Sequence, residues 1–329
     1  MKKLSALIAA IMMAFMLAGC SLFSEEQPQG TQFDAKIGIL LSDTGLGDGS
    51  FNDAAFQGLE RARTDLNIVF DYREAPEGNY EEMLNELVEQ DMTLIIGLGF
   101  SVQEAIEKVA LENPEQQFLL IDGYSEVANV VSVTFKEQEG SFLVGVVAAL
   151  TSESGVIGFI GGVDAPVIHR FEQGYIAGAK FANPTITVLS NYAGDFGDTA
   201  LGGNIAQQQI DQNADFIYPA AGYTGVGAIL KAQEHGVFAA GVDSDQFFIA
   251  EEAVVTSMLK KIDVVVYDLV SSLVQGNIDE AAFELGLAED GVGLAEIRLA
   301  QLDATGQALL QDVQKKIISG EIVVPETKE

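Results

Sequence analysis

Apolar residues recur along this chain with two alternating periods. The run 37–41 is continuously apolar and of strand length, and after it Phe51, Ala54, Ala55, Gly58, Leu59 and Ala62 recur at helical spacing. Residues 69–72 predict a second strand, while Tyr80, Met83, Leu84, Leu87 and Val88 mark one helical face. A buried strand at 94–96 ends in Gly97-Leu98-Gly99-Phe100. A helix over 101–112 and a strand over 118–121, closing on Asp122-Gly123, complete the series. Strands apolar on both faces, alternating with amphipathic helices, predict a doubly wound parallel sheet.

The series then returns roughly 120 residues later. Ile157-Gly158-Phe159-Ile160 answers Ile37-Gly38-Ile39-Leu40, and Phe171-Glu172-Gln173-Gly174 answers Phe56-Gln57-Gly58 with one extra residue. The segment 215–219 matches 93–97, Gly222-Tyr223 falls on Gly99-Phe100, and the strand closing on Asp243 matches the strand closing on Asp122. One α/β lobe is thus written twice. The fold class is α/β, two doubly wound parallel-sheet lobes with a ligand cleft between them. We assign 35–123 plus about 257–276 to the first lobe and 124–256 plus about 277–325 to the second. The expected links, about which the lobes close, lie near 123–127, 255–257 and 276–279.

Ligands in such folds sit beyond the carboxyl ends of the strands. The stretch Asp48-Gly49-Ser50-Phe51-Asn52 occupies that place after the first strand. Ser50 is expected to cap the following helix, with Asp53 three residues on in a variant capping box. Phe51 and Asn52 can stack on and hydrogen-bond a flat polar ring; the competing reading is that Phe51 belongs to the core. The corresponding turn of the second lobe, 161–171, lacks Ser-Phe-Asn, so the motif is not needed to build a lobe. Asp122 and Asp243 end matching strands, where an acid is costly unless partnered; either could instead cap a helix. Lys260 and Lys261 are expected in the first turn of a helix with apolar positions Ile262, Val265, Val266, Leu269, Val270 and Leu273. That is the unfavourable end for a cation, so Lys260 either reaches ligand hydroxyls, pairs with Asp243 or is a solvated surface charge.

Composition narrows the chemistry. The formal charge is −32, and removing Lys2 and Lys3 with an N-terminal leader makes it −34. Repulsion argues against nucleic acid and polyphosphates as partners. With two histidines and one cysteine, no nucleophile series, metal-ligand spacing or P-loop is present. We therefore expect no catalytic residue, metal or cofactor, although Asp122 and Asp243 would be the acid-base pair if the chain were a nucleoside hydrolase. His169 stands at the start of a second-lobe helix, and His235 suits a helix C-terminus. At the N-terminus, Lys2 and Lys3 precede a short apolar run ending in Leu17-Ala18-Gly19-Cys20. This resembles the lipobox of bacterial lipoproteins. The resemblance implies a signal peptide over 1–19, a lipidated tether over 20–34, and a chain held at the extracytoplasmic face of the cell membrane through lipid on Cys20.

Taken together, Asp48-Gly49-Ser50-Phe51-Asn52 with Gly58, Ile121-Asp122-Gly123, Ala220-Ala221-Gly222 with Gly225, Gly241-Val242-Asp243-Ser244-Asp245-Gln246, and Thr256-Ser257 followed by Lys260 resemble the basic membrane protein family. These are lipid-anchored substrate-binding proteins of ABC transporters, and the purine nucleoside receptor lipoproteins are the nearest group. The resemblance implies that Phe51 stacks on a purine whose polar edge bonds Asn52 and Asp122. It further implies that Phe196, in Gly194-Asp195-Phe196-Gly197-Asp198, covers the opposite face, and that Gly222, Asp243 and Lys260 hold the ribose hydroxyls. The chain departs from the family pattern at Gly49, where a charged residue is usual, and after Phe196, where basic residues are usual. The expected partners are a nucleoside and the subunits of an ABC permease, with the protein acting as a monomer. The alternative within this fold is a sugar or furanose receptor acting in signalling.

Overall fold

The computed structural model describes residues 33–276, 281–300 and 302–328. The leader, Cys20 and most of the tether lie outside the described residues. The first half runs β1 (Ala35–Leu40), α1 (Phe51–Asp65), β2 (Ile68–Arg73), α2 (Tyr80–Val88), β3 (Leu94–Leu98), α3 (Gln103–Glu112), β4 (Gln117–Ile121) and β5 (Val130–Phe135). Then come α4 (Glu137–Thr151), β6 (Val156–Gly161), α5 (Pro166–Ala182), β7 (Thr187–Tyr192), α6 (Thr199–Asp211) and β8 (Phe216–Ala220). The chain continues with α7 (Gly222–His235), β9 (Phe238–Asp243), β10 (Val254–Lys260), α8 (Ile262–Val274), β11 (Ala282–Leu285), β12 (Val292–Leu294) and α9 (Ala304–Ile318).

Two six-stranded sheets result, ordered β11-β5-β4-β3-β1-β2 and β12-β10-β9-β8-β6-β7. The first is wholly parallel, and in the second only β12 runs antiparallel, against β10. The repeat in the sequence is this topology: β2-β1-β3-β4-β5 and β7-β6-β8-β9-β10 are the same arrangement. Strands such as β3 are buried along their whole length, because helices cover both faces of each sheet.

The chain crosses between the sheets later than the sequence reading placed it. β5 pairs with β4, Phe118 opposite Val130, so the first crossing comes after Phe135 rather than near Gly123. β10 belongs to the second sheet up to Lys260, so the return does not begin at 257. β11 joins the first sheet beside β5, not the second lobe. The physical reason is that β4 and β9 would otherwise be open edges with unpaired backbone. The crossings therefore lie at Lys136, at Lys261 and over 286–291. They are tied together: the Lys136 N–H donates to the Leu285 carbonyl at 2.9 Å, and the Lys261 N–H to the Gly291 carbonyl at 2.9 Å.

After the first and second crossings a helix docks on the lobe that the chain has entered. α8 packs on α1 and α4 on α5. A Cβ at Gly58 would stand 2.5 Å from the Asp263 carbonyl oxygen, and one at Gly174 would stand 2.2 Å from that of Gln138. The repeated glycines thus admit the incoming helix at backbone contact. α9 completes the second lobe against α4.

Candidate ligand-binding site

The carboxyl ends of the strands in both sheets open onto one cleft, with about 660 Å³ of space between the lobes counting its open mouth. The first lobe lines it with Asp43, Thr44, Phe51, Ser101 and Asp122, the second with Phe171, Phe196, Gly222, Asp243 and Lys260. Six of the seven ligand contacts expected from the sequence therefore meet here.

The seventh, Asn52, does not reach the wall. It is fully buried. Its amide oxygen accepts from the Ser42 N–H at 2.9 Å, and its amide nitrogen donates to the Ser42 and Thr44 hydroxyls and to Asp48 at 2.9–3.0 Å. Asn52 orders the side chains that line the cavity, and its hydrogen-bonding capacity is used there. The expected capping box is also replaced. The Asp48 carboxylate accepts from the backbone N–H groups of Ser50 and Asn52 at 3.0 and 2.9 Å, while Asp53 accepts from those of Gly47 and Gly49. Asp48 is thus the acceptor that holds the start of α1, which frees the Ser50 hydroxyl to donate to Asp243 across the cleft at 2.9 Å.

Asp122 and Asp243 cap no helix. Each sits in the left-handed region, at φ of 65° and 63°, just past the end of β4 and at the end of β9. Asp and Asn tolerate this conformation better than most residues, and such strain concentrates at functional sites. One carboxylate oxygen of each, Oδ1, is buried without a hydrogen-bond partner. Burial pushes the Asp122 carboxyl up, opposed by Lys260. Burial likewise pushes Asp243 up to about 7, against the pull of Lys260 and the Ser50 hydroxyl.

Lys260 is the last residue of β10 rather than part of a helix, and it is 2% exposed. Its ammonium bonds Asp122 and stands 2.9 Å from Glu137 Oε1. It also lies 5.0–5.6 Å from the ring centres of Phe51, Phe135 and Phe171, within cation–π range. Although burial acts against the charge, Asp122, Glu137 and Asp243 hold it above the ordinary lysine range. The solvated-surface reading of Lys260 is excluded, and its ion partners are Asp122 and Glu137 rather than Asp243.

Phe196 is carried by a turn anchored at both ends. Gly194 and Asp195 donate to the Gly162 carbonyl, and the Phe196 carbonyl accepts from Thr224 at 3.0 Å. Its ring rests on Gly162, where a Cβ would stand 2.1 Å away. Gly222 adopts φ of 52° at the start of α7 beside this turn. The lobes also touch at the mouth, where the Tyr223 hydroxyl donates to the Leu46 carbonyl at 2.9 Å. His169 is not on the wall; it bonds Asp164 and packs edge-on against Tyr192. His235 ends α7 before the left-handed Gly236, as expected. Among the described residues no cluster of His, Cys, Asp and Glu could hold a metal ion.

Sequence reasoning missed Asp43, Ser101, Phe171, Glu137 and Arg170. Asp43 had a signal, since it lies three residues past the end of β1; its carboxylate accepts from the Tyr80 and Ser101 hydroxyls. Glu137 is at the start of α4, where an acid is ordinarily explained by the helix dipole.

Two α/β lobes with aromatic rings, carboxylates and one lysine converging between them define a two-lobed small-molecule binding protein. The chain belongs to the family described as ABC transporter substrate-binding protein PnrA-like, which it matches over residues 35–328. It is 33% identical to the CD4+ T-cell-stimulating antigen of Listeria innocua, over 98% of this chain and 97% of that protein. It is also 33% identical to basic membrane protein A of Borreliella burgdorferi, over 89% and 88% of the two chains. Among solved structures it resembles a solute-binding protein of an ABC transporter system from Aeropyrum pernix, with a TM-score of 0.82, 30% identity, and coverage of 88% and 94%. The fold is that of type I periplasmic binding proteins, and it extends to more distant structures such as a carbohydrate-transporter binding protein from Agrobacterium radiobacter in complex with D-arabinose, at a TM-score of 0.61.

Proposed function

We propose that this protein captures a neutral nucleoside, of the purine type, in the interlobe cleft and delivers it to an ABC permease. On this reading it is a monomer held at the extracytoplasmic membrane face by lipid on Cys20. Among the described residues no helix is long and apolar enough to cross a membrane. The observation that carries the ligand reading is the pair of buried carboxylate oxygens without donors, Asp122 Oδ1 and Asp243 Oδ1, on a wall that also presents Phe51 and Phe196 from opposite lobes. Such acceptors suit hydroxyl and N–H donors, and aromatic faces suit a planar base. Phosphate would meet Asp43, Asp48, Asp122 and Asp243 against Lys260, whose charge is already taken up by carboxylates.

The test is a calorimetric titration of the chain from Ser21 with nucleosides, free bases, nucleotides and pentoses. Nucleosides are expected to bind and nucleotides to fail; a pentose binding as tightly as its nucleoside would overturn the stacking role and favour the sugar reading. Phe51→Ala should weaken nucleoside binding by about 1–3 kcal/mol, the range for loss of an aromatic stacking partner. Inosine recovered intact after incubation separates a receptor from a hydrolase.

A further inference from the structure

Lys260 has two kinds of partner, and they stand on different sides of the cleft. Asp122 lies just past the end of β4 in the first sheet. Glu137 opens α4, the helix that crosses to the second lobe and packs on α5 and β10. Its carboxylate is 0% exposed, 2.9 Å from the Lys260 ammonium through Oε1 and 2.5 Å from Arg170 Nε through Oε2. Arg170 is on α5, so Lys260, Glu137 and Arg170 form a chain of alternating charge carried entirely by elements of the second lobe. Any opening of the cleft would therefore separate Asp122 from Lys260 and leave this chain whole.

Resting on the reading of the cleft as the ligand site, we propose that Glu137 is a positioning residue: it is the permanent counter-ion of Lys260, and Asp122 is the exchangeable partner that the ligand meets. A buried ammonium with one carboxylate alone would lose its only partner each time the cleft opened, and leaving a buried charge unpaired is costly. The two carboxyls differ in the sense this division requires. Burial raises Asp122, whereas Lys260 and Arg170 overcome the same burial at Glu137 and hold it below the usual carboxylate range. Asp122 therefore gives up its charge, or shares its oxygens with ligand hydroxyls, more readily than Glu137 does.

The groups facing Lys260 are Asp122 from β4, Asp243 from β9 and Glu137 from α4, with the rings of Phe51, Phe135 and Phe171 between them. Arg170 acts on Glu137 and Asp122, the Tyr218 hydroxyl faces Asp243 and Glu137, and Glu326 acts on Arg170. Among them only Glu137 binds Lys260 and Arg170 at once.

Residues 34–329 form one compact unit, so the chain from Ser21 is suitable material. Carbon-13 labelling at lysine Cε follows each ammonium by NMR without ligand, and the Lys260 signal is identified by its loss in Lys260→Arg. In Glu137→Gln the titration midpoint of Lys260 should fall by about one pH unit or more, the effect of removing an adjacent opposite charge. An unchanged midpoint overturns the proposal. Glu137→Gln/Arg170→Gln, which removes the anion and cation together, serves if the single variant does not fold and should show the same fall. Inosine affinity gives the second readout. Glu137→Gln should bind about tenfold to a hundredfold more weakly at pH 7, the loss of a charge-assisted hydrogen bond. A loss restored by the double variant would mean that Glu137 only balances Arg170, and would overturn the proposal. Failure of the wild type to bind inosine would count against the nucleoside reading alone, because the NMR titration still decides the role of Glu137.

Discussion

Lys260→Met is expected to lower the free energy of unfolding by about 3–5 kcal/mol at pH 7, the range for breaking a buried ion pair by deleting one partner. The methionine fills similar space among Phe51, Phe135 and Phe171, so little of the loss comes from packing. What remains is two buried carboxylates without their shared cation, Glu137 still bonded to Arg170 and Asp122 without an ion-pair partner, with Arg170 acting on it only at a distance. The loss should therefore shrink on acidification, as Asp122, already raised by burial, takes up a proton. The sign follows from linkage. With Lys260 gone, Asp122 binds a proton more tightly in the folded than in the unfolded protein, so protonation favours the folded variant. Denaturant unfolding of the wild type, Lys260→Met and Lys260→Met/Asp122→Asn at pH 7 checks this. The double variant should recover part of the loss; a single variant within about 1 kcal/mol of wild type, the median for exposed pairs, would show that the ammonium contributes no more than a surface charge.

The element pattern and the twofold repeat were legible because both derive from apolar periodicity, which burial on both sheet faces imposes directly on the residue types. The crossings were not. β5 reads Val-Val-Ser-Val-Thr-Phe, a short strand with no turn motif that marks which sheet it will join; only the open edge of β4 decides that. The same limit explains the two aromatic positions of the repeat. Phe56 stands two residues before Gly58, and Phe171 three residues before Gly174. One residue turns a helical side chain by roughly 100°, so Phe56 packs outward on Phe70 and Tyr72 while Phe171 faces the cleft. Position in the repeat found Asp122 and Asp243, since strand ends converge in this topology. It could not tell that Asn52 is spent on Ser42, Thr44 and Asp48, because hydrogen-bond closure within a loop is a property of three dimensions.

Nucleoside affinity is expected to fall by about fiftyfold between pH 7 and pH 5, because a group that must be ionised to bind is about half ionised at its pKa and loses roughly a further tenfold per pH unit well below it. Asp243 is the group. Burial raises it to about 7, and one of its oxygens lacks a donor while the other accepts from Ser50. Ligand hydroxyls supply donors to the charged form, so binding favours the carboxylate and releases a proton when it begins from the acid. For the ligand-free protein the sign is opposite. A carboxyl raised above its ordinary value of 3.8 holds its proton more tightly when folded, so its contribution to stability is present at low pH and declines as pH rises from about 4 to about 7. Acidification should therefore weaken binding while this group favours the folded state. Calorimetry at pH 6 in two buffers of different ionisation enthalpy should register proton release on binding, and Asp243→Asn should remove both the release and the pH dependence at the cost of weak binding throughout. A pH profile unchanged in that variant would assign the titration to another group and remove Asp243 from the hydroxyl-binding set.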